Sequence, residues 1–138
     1  MDDKFKIVII GAGNVAFSLA YALQDIHIPI HQIYARNESQ LSTFCALFSC
    51  DGINEIEDIS SIADFYFLCV NDDSIALLSE QLSKYLPNNK IVMHTSGSRG
   101  KNEINDYFIN SANFYPLQTL PKSNGQDWQN IPIFIEAN

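Results

Sequence analysis

Phe5-Lys6-Ile7-Val8-Ile9-Ile10-Gly11-Ala12-Gly13-Asn14-Val15-Ala16 is the stretch on which the fold turns. Ile7 to Ile10 form a short unbroken apolar run, the pattern of a parallel strand buried on both faces. The glycines and the Ala/Leu-rich segment after them mark a tight turn into a helix. In a turn of the type G-x-G-x-x-G/A the first glycine makes the bend and the second lets a dinucleotide pyrophosphate approach the backbone. A small third residue lets the helix pack close to the strand. Gly11, Gly13 and Ala16 occupy those three positions. A helix starting near Asn14 and Val15 then presents its free N–H groups and positive dipole end to the phosphates. Glycines also end strands in folds that bind nothing, so a merely structural turn is the competing reading.

Downstream, strands and helices alternate. Val15 to Gln24 carries Val15, Leu19, Ala22 and Leu23 at helical spacing, and the loop Ile28-Pro29-Ile30 ends it. Ile30 to Ala35 reads as a second strand and Glu38 to Phe48 as a second helix, with Leu41, Phe44, Leu47 and Phe48 apolar. A short strand around Ile53 precedes the acidic turn Glu55 to Asp58 and a strong strand, Phe65 to Val70. Asp72 and Asp73 offer N-caps to a helix over Ser74 to Leu86, which Pro87 stops. Lys90 to His94 is a further strand and Gly100 to Phe108 a short helix or loop. Asn113 to Tyr115 and Ile131 to Ile135 are strands on either side of a loop, Pro116 to Asn130. This alternation implies βαβ units with right-handed crossovers. The expected fold is α/β: one domain over residues 1–138, a doubly wound, mostly parallel sheet with helices on both faces.

Composition narrows the function classes. Of the 138 residues 46% are hydrophobic and 17% charged, which suits a packed core rather than disorder. No apolar run approaches the roughly 20 residues that span a bilayer. The N-terminus lacks a basic start and cleavage site, and the three cysteines, Cys45, Cys50 and Cys69, have no C-x-x-C spacing; a cytoplasmic location and packing roles for the thiols are expected. No His cluster completes a metal set, so no metal is expected. A net charge of −8 argues against nucleic acid or an anionic membrane as partner. The chain stops at Asn138, directly after an apolar strand, whereas a dinucleotide domain needs a wall over the nicotinamide. The expectation is the N-terminal part of a longer protein; a complete small domain that dimerises is the alternative.

Three strand ends hold candidate chemistry. After the second strand comes Tyr34-Ala35-Arg36-Asn37-Glu38-Ser39. An acid here would bind a ribose 2′-OH; Arg36, with Asn37 and Ser39 as hydrogen-bond donors, favours the 2′-phosphate of NADP over NAD. A plain surface Arg is the alternative, and Glu38 either repels a phosphate or caps the helix. Val70-Asn71-Asp72-Asp73 ends the next long strand, so Val70 and Asn71 line the nicotinamide side. His94-Thr95-Ser96-Gly97-Ser98 ends the one after: His94 is a candidate acid or base and Ser96 a holder of a substrate oxygen. A strand-end His satisfied by neighbouring backbone fits equally. Tyr115-Pro116-Leu117-Gln118-Thr119 would lie near the same cleft.

Taken together, Gly11-Ala-Gly-Asn-Val-Ala16, Val70-Asn-Asp-Asp73, His94-Thr-Ser-Gly-Ser98 and Tyr115-Pro-Leu-Gln-Thr119 resemble a reductase-like family similar to pyrroline-5-carboxylate reductase and F420-dependent NADP oxidoreductase. The resemblance implies a Rossmann-like N-terminal domain followed by an all-helical domain that closes the cleft and forms a homodimer. It also implies NADP binding and reduction of a C=N or C=O bond in a small-molecule substrate. One position departs: the last motif of that family usually begins His-Pro-Leu-Gln, and Tyr115, a poor base near pH 7, replaces the His. A non-catalytic dinucleotide-sensing or scaffold module, or an interaction domain that binds no nucleotide, are the rival functions.

Overall fold

The computed structural model of the chain describes residues 5–97, 99–100, 102–116, 128 and 132–137. Seven strands form a single sheet: β1 (Ile7–Ile10), β2 (Ile30–Tyr34), β3 (Asp51–Ile53), β4 (Phe65–Leu68), β5 (Ile91–His94), β6 (Asn110–Pro116) and β7 (Ile133–Ala137). The helices are α1 (Asn14–Asp25), α2 (Glu38–Phe48), α3 (Ile75–Leu82) and α4 (Asn102–Asn105), with 3₁₀ turns at Ile56–Asp58 and Asp72–Ser74. The strand order is β3-β2-β1-β4-β5-β6-β7. Chain direction across the sheet therefore reverses beside β1, which defines a topological switch point between β1 and β4. The first six strands pair in parallel and β7 runs antiparallel on β6.

Successive side chains of a strand point to opposite faces, and both faces are covered. Ile7 and Ile9 join Phe17, Leu19, Ile33, Phe44 and Phe67 in the core under α1 and α2. Val8 and Ile10 join Tyr66, Leu68, Ile75, Leu82 and Phe108 in the core on the other face. That is why β1 shows no polar alternation: all four of its residues are buried. Between α1 and α2 the rings of Phe17, Tyr21, Phe44 and Phe48 stack edge-on or tilted at centroid distances of 4.7–6.2 Å.

Some expected elements shift. In place of N-capping α3, Asp72 and Asp73 lie inside a 3₁₀ turn; α3 begins after Ser74, whose side chain makes no cap bond, and ends at Leu82 rather than Leu86. Asp73 is engaged elsewhere, its Oδ1 accepting from the Arg99 guanidinium at 2.9 Å. β6 is longer than Asn113 to Tyr115 because its start pairs along the whole of β5, Asn110 opposite Ile91. β7 begins two residues later than expected. Ser98 and the segment 117–127, which includes Leu117-Gln118-Thr119, lie outside the described residues.

Gly11 locks the switch point. Its φ is +107°, and a Cβ there would fall 2.1 Å from the carbonyl oxygen of Cys69, at the end of β4. Its N–H donates to Tyr34 O at 2.7 Å, tying the turn to β2 as well. Gly11→Ala combines a strained backbone with a clash against backbone, so we expect it to lower unfolding stability by about 3 kcal/mol or more. Urea denaturation followed by circular dichroism measures this; a loss below about 1 kcal/mol would show that the turn relaxes.

Candidate functional site

A cleft of about 1050 Å³ opens at the carboxyl edge of the sheet over the switch point, the place where open α/β sheets take their ligands. Its floor is the glycine turn, Gly11 to Val15; one wall is the end of β2, Tyr34 to Asn37, and the other is the ends of β4 and β5 with the first turns of α3.

The turn is open on its cleft side. The backbone of Gly13 is extended, at φ −90° and ψ −163°, which any residue adopts. A Cβ on Gly13 would meet no described residue within 4 Å. Unlike Gly11, Gly13 thus has no reason within the described fold to lack a side chain, and a methyl there would project into open space. Gly13 is also the N-cap of α1 and supplies no side-chain bond to it, and the first turn holds no acidic residue. The leading N–H groups of α1, at Asn14 and Val15, face the cleft with the positive end of the helix dipole. Ala16 does not line the cleft; it is 0% exposed and packs in the core under α1.

At the β2 end, Arg36 is exposed on the cleft wall and makes no ion pair with a described residue. Asn37 caps α2, its Oδ1 accepting from Gln40 N–H at 2.9 Å, which leaves its amide N–H₂ for another partner. Glu38 neither caps the helix nor stands free: its Oε2 accepts from Asn54 Nδ2 at 3.3 Å. Ser39 lies outside the cleft lining. This end therefore offers one uncompensated cation with a neutral donor beside it, the chemistry of a phosphate reader.

At the β4 and β5 ends, Val70, Asn71, Thr95, Ser96 and Gly97 line the cleft. His94 does not. It is 0% exposed, and both ring nitrogens are engaged with backbone: Nδ1 accepts from Ser96 N–H at 3.1 Å and Nε2 meets Gly100 O at 2.7 Å. An acceptor at Nδ1 and a carbonyl at Nε2 fix the neutral tautomer with its proton on Nε2. The loop after β5 is pinned further. Ser96 Oγ accepts from Arg99 N–H at 3.2 Å, and Arg99 O accepts from Asn113 Nδ2 at 2.9 Å. The Arg99 guanidinium bridges Asp73 and Glu103 at 2.9 and 3.2 Å. Cys69, also on the wall, is no nucleophile near neutral pH: burial pushes its thiol up to about 12, only partly offset by a hydrogen bond with Thr95.

The sequence did not point to the α3 side of the cleft. Leu77, Leu78 and Gln81 line it, and Leu77 is 57% exposed. The available signal was an apolar residue off the Ile75, Leu78, Leu82 stripe of α3. Among the described residues no group of three His, Cys, Asp or Glu side chains comes together to hold a metal ion. No described helix is long and apolar enough to cross a membrane.

Solved structures share this architecture. A candidate NADP oxidoreductase from Bacteroides fragilis is 30% identical, with a TM-score of 0.90 over 97% of this chain and 52% of that one. Prephenate dehydrogenase from Aquifex aeolicus, solved with NAD+ and hydroxyphenyl propionate, is 18% identical, with a TM-score of 0.78 over 97% and 51% of the two chains. Pyrroline-5-carboxylate reductase from Coxiella burnetii is 17% identical, with a TM-score of 0.75 over 84% and 45%. The last two likenesses concern the fold alone. The chain spans about half the length of these proteins. No curated protein sequence matches it. Residues 6–97 match the family described as NADP oxidoreductase, coenzyme F420-dependent, and this Rossmann-like chain, with its glycine turn at the switch point, belongs to that family.

Proposed function

We propose that the cleft binds NADP(H) and that the chain is the cofactor-binding domain of an oxidoreductase acting on a C=N or C=O bond of a small molecule. The observation that carries this reading is Gly13, a glycine without a conformational or packing reason at the mouth of an uncapped helix N-terminus. Bound there, the cofactor supplies the hydride; the chain binds and orients it. Gly13, Asn14 and Val15 hold the pyrophosphate through backbone N–H groups; Gly11, whose own N–H is given to Tyr34 O, shapes the turn beneath it, and Ala16 lets α1 sit close enough. Arg36 and the Asn37 amide take the 2′-phosphate. Ser39, outside the lining, joins them only through a change of conformation. Val70 and Asn71 flank the nicotinamide half and Ser96 faces the substrate.

His94 is assigned a positioning role in place of acid or base catalysis, because both its nitrogens already hold the loop that carries Ser96. A second reading, a non-catalytic dinucleotide sensor, draws on the same observation, since a locked His94 leaves the cleft without a free imidazole. Turnover in the full-length protein separates the two. Following the resemblance, that protein is a cytoplasmic homodimer in which a helical domain closes the cleft.

Calorimetric titration tests the cofactor site. NADPH is expected to bind more tightly than NADH, and Arg36→Asp to weaken NADPH at least tenfold while leaving NADH within about twofold, as expected for loss of a charge-assisted contact; equal effects on the two would remove Arg36 from the site. Gly13→Ala should keep unfolding stability within about 0.5 kcal/mol and weaken NADPH by an order of magnitude or more. Unchanged affinity in that variant would leave the glycine unexplained and the pyrophosphate assignment without its main support. For His94→Ala, the buried Ser96 N–H and Gly100 carbonyl lose their partners, so stability should fall by about 2–4 kcal/mol in urea melts; a fall below about 1 kcal/mol would rule out the positioning role.

A further inference from the structure

We propose that Tyr115 donates its phenol O–H to the carboxamide oxygen of the nicotinamide, an assignment that rests on the dinucleotide reading of the cleft. Gly97 gives the first indication. Its φ is not among the positive values, so its backbone does not require glycine. A Cβ there would instead fall 2.4, 2.6 and 2.7 Å from Cζ, Cε1 and Oη of Tyr115. It is the hydroxyl end of the ring that Gly97 makes room for. Gly97 itself is exposed and lines the cleft at the end of β5; Tyr115 is not part of that lining, and its phenol packs against the cleft through Gly97.

The register agrees. β6 lies parallel to β5 with Asn113 opposite His94, and Tyr115 stands two residues farther along, level with Ser96. Alternation puts Tyr115 on the same face of β6 as Asn113, and Asn113 already reaches the loop after β5 through Arg99 O. From Arg36 after β2, the cleft crosses β1 and β4 to Gly97 after β5, three strand spacings or about 14 Å. With the 2′-phosphate at Arg36 and the pyrophosphate at Gly13, the nicotinamide half comes to the β4 and β5 ends. There Thr95 is engaged with Cys69, Ser96 with Arg99, and Arg99 with Asp73 and Glu103. The Tyr115 hydroxyl makes no hydrogen bond with a described residue, whereas the buried Tyr66 hydroxyl donates to Ser60 O at 2.6 Å. A half-buried phenol normally finds a partner, and the carboxamide is the polar group a nicotinamide ring offers.

Tyr115→Phe keeps the ring against Gly97 and removes only the hydroxyl. The full chain is titrated with NADP+, with its 3-acetylpyridine analogue, which keeps the carbonyl and lacks the amide N–H₂, and with 2′-phospho-ADP-ribose, which lacks the nicotinamide. The variant is expected to lose about fivefold in affinity for the first two, the scale of one neutral hydrogen bond, with the fragment unchanged. Equal losses for all three, or no loss for NADP+, would overturn the assignment. A loss for NADP+ alone would make the hydroxyl an acceptor from the amide and overturn the donor role. If the unaltered chain binds the fragment normally and the variant behaves like it toward every ligand, this proposal fails by itself. If the unaltered chain binds none of the three, the dinucleotide reading fails and takes the proposal with it.

Discussion

The approach of the Gly11 backbone to the Cys69 carbonyl is the constraint on which the rest of the molecule depends. It is made where β1 and β4 come side by side after the chain has wound one way through β2 and β3 and begun to wind the other. Any side chain at that point would push the two strand ends apart and open the sheet at its centre. Because the approach is permitted, the two loops leaving the switch point diverge, and the space between them becomes the cleft. Fold and site thus share one origin: the contact that closes the sheet also places α1 with its uncapped end toward the ligand.

A second layer of order lies at the β5 end. There the protein uses buried polar groups rather than apolar packing to fix a loop, and each takes up a specific donor or acceptor: the two His94 nitrogens, Ser96 Oγ, the Arg99 carbonyl and the Asn113 amide. Such networks are costly when half-made and rigid when complete, and this one is complete but for Asn113 Oδ1, which is buried without a hydrogen-bond partner among the described residues. Rigidity suits a wall that, on the proposed reading, holds a ring and a substrate in register. The opposite wall, at β2, is built differently, with an exposed Arg36 and a neutral cap residue, and suits recognition of charge rather than of shape.

Legibility followed the range of the interactions. The buried strand Ile7–Ile10, the turn at Gly11 and the helix Glu38–Phe48 are written in local pattern, and the structure has them at or within a residue of the expected places. The antiparallel direction of β7 has no local signature, since an alternating or apolar run does not say which way its partner points. Asp72 and Asp73 look like caps because capping is a local preference, but Arg99, 26 residues from Asp73, takes one of them for an ion pair. His94 was legible as a strand-end histidine with two possible fates; which one it meets depends on where the chain returns at Gly100. Gly97 carried no message until the ring of Tyr115 was seen against it.

The two glycines of the turn also differ in what each answers to. Gly11 answers to the architecture: replace it and the sheet suffers whether or not anything is bound. Gly13 answers to nothing within the described fold, and on the proposed reading only to the occupant of the cleft. A lineage released from the need for its ligand could therefore drift at the second position and keep the first, retaining the fold intact while the binding function decays. Descendants of such a chain would be indistinguishable from it in overall shape, and, if the proposed pyrophosphate site is right, a single methyl at position 13 would be enough to separate a working site from a relic.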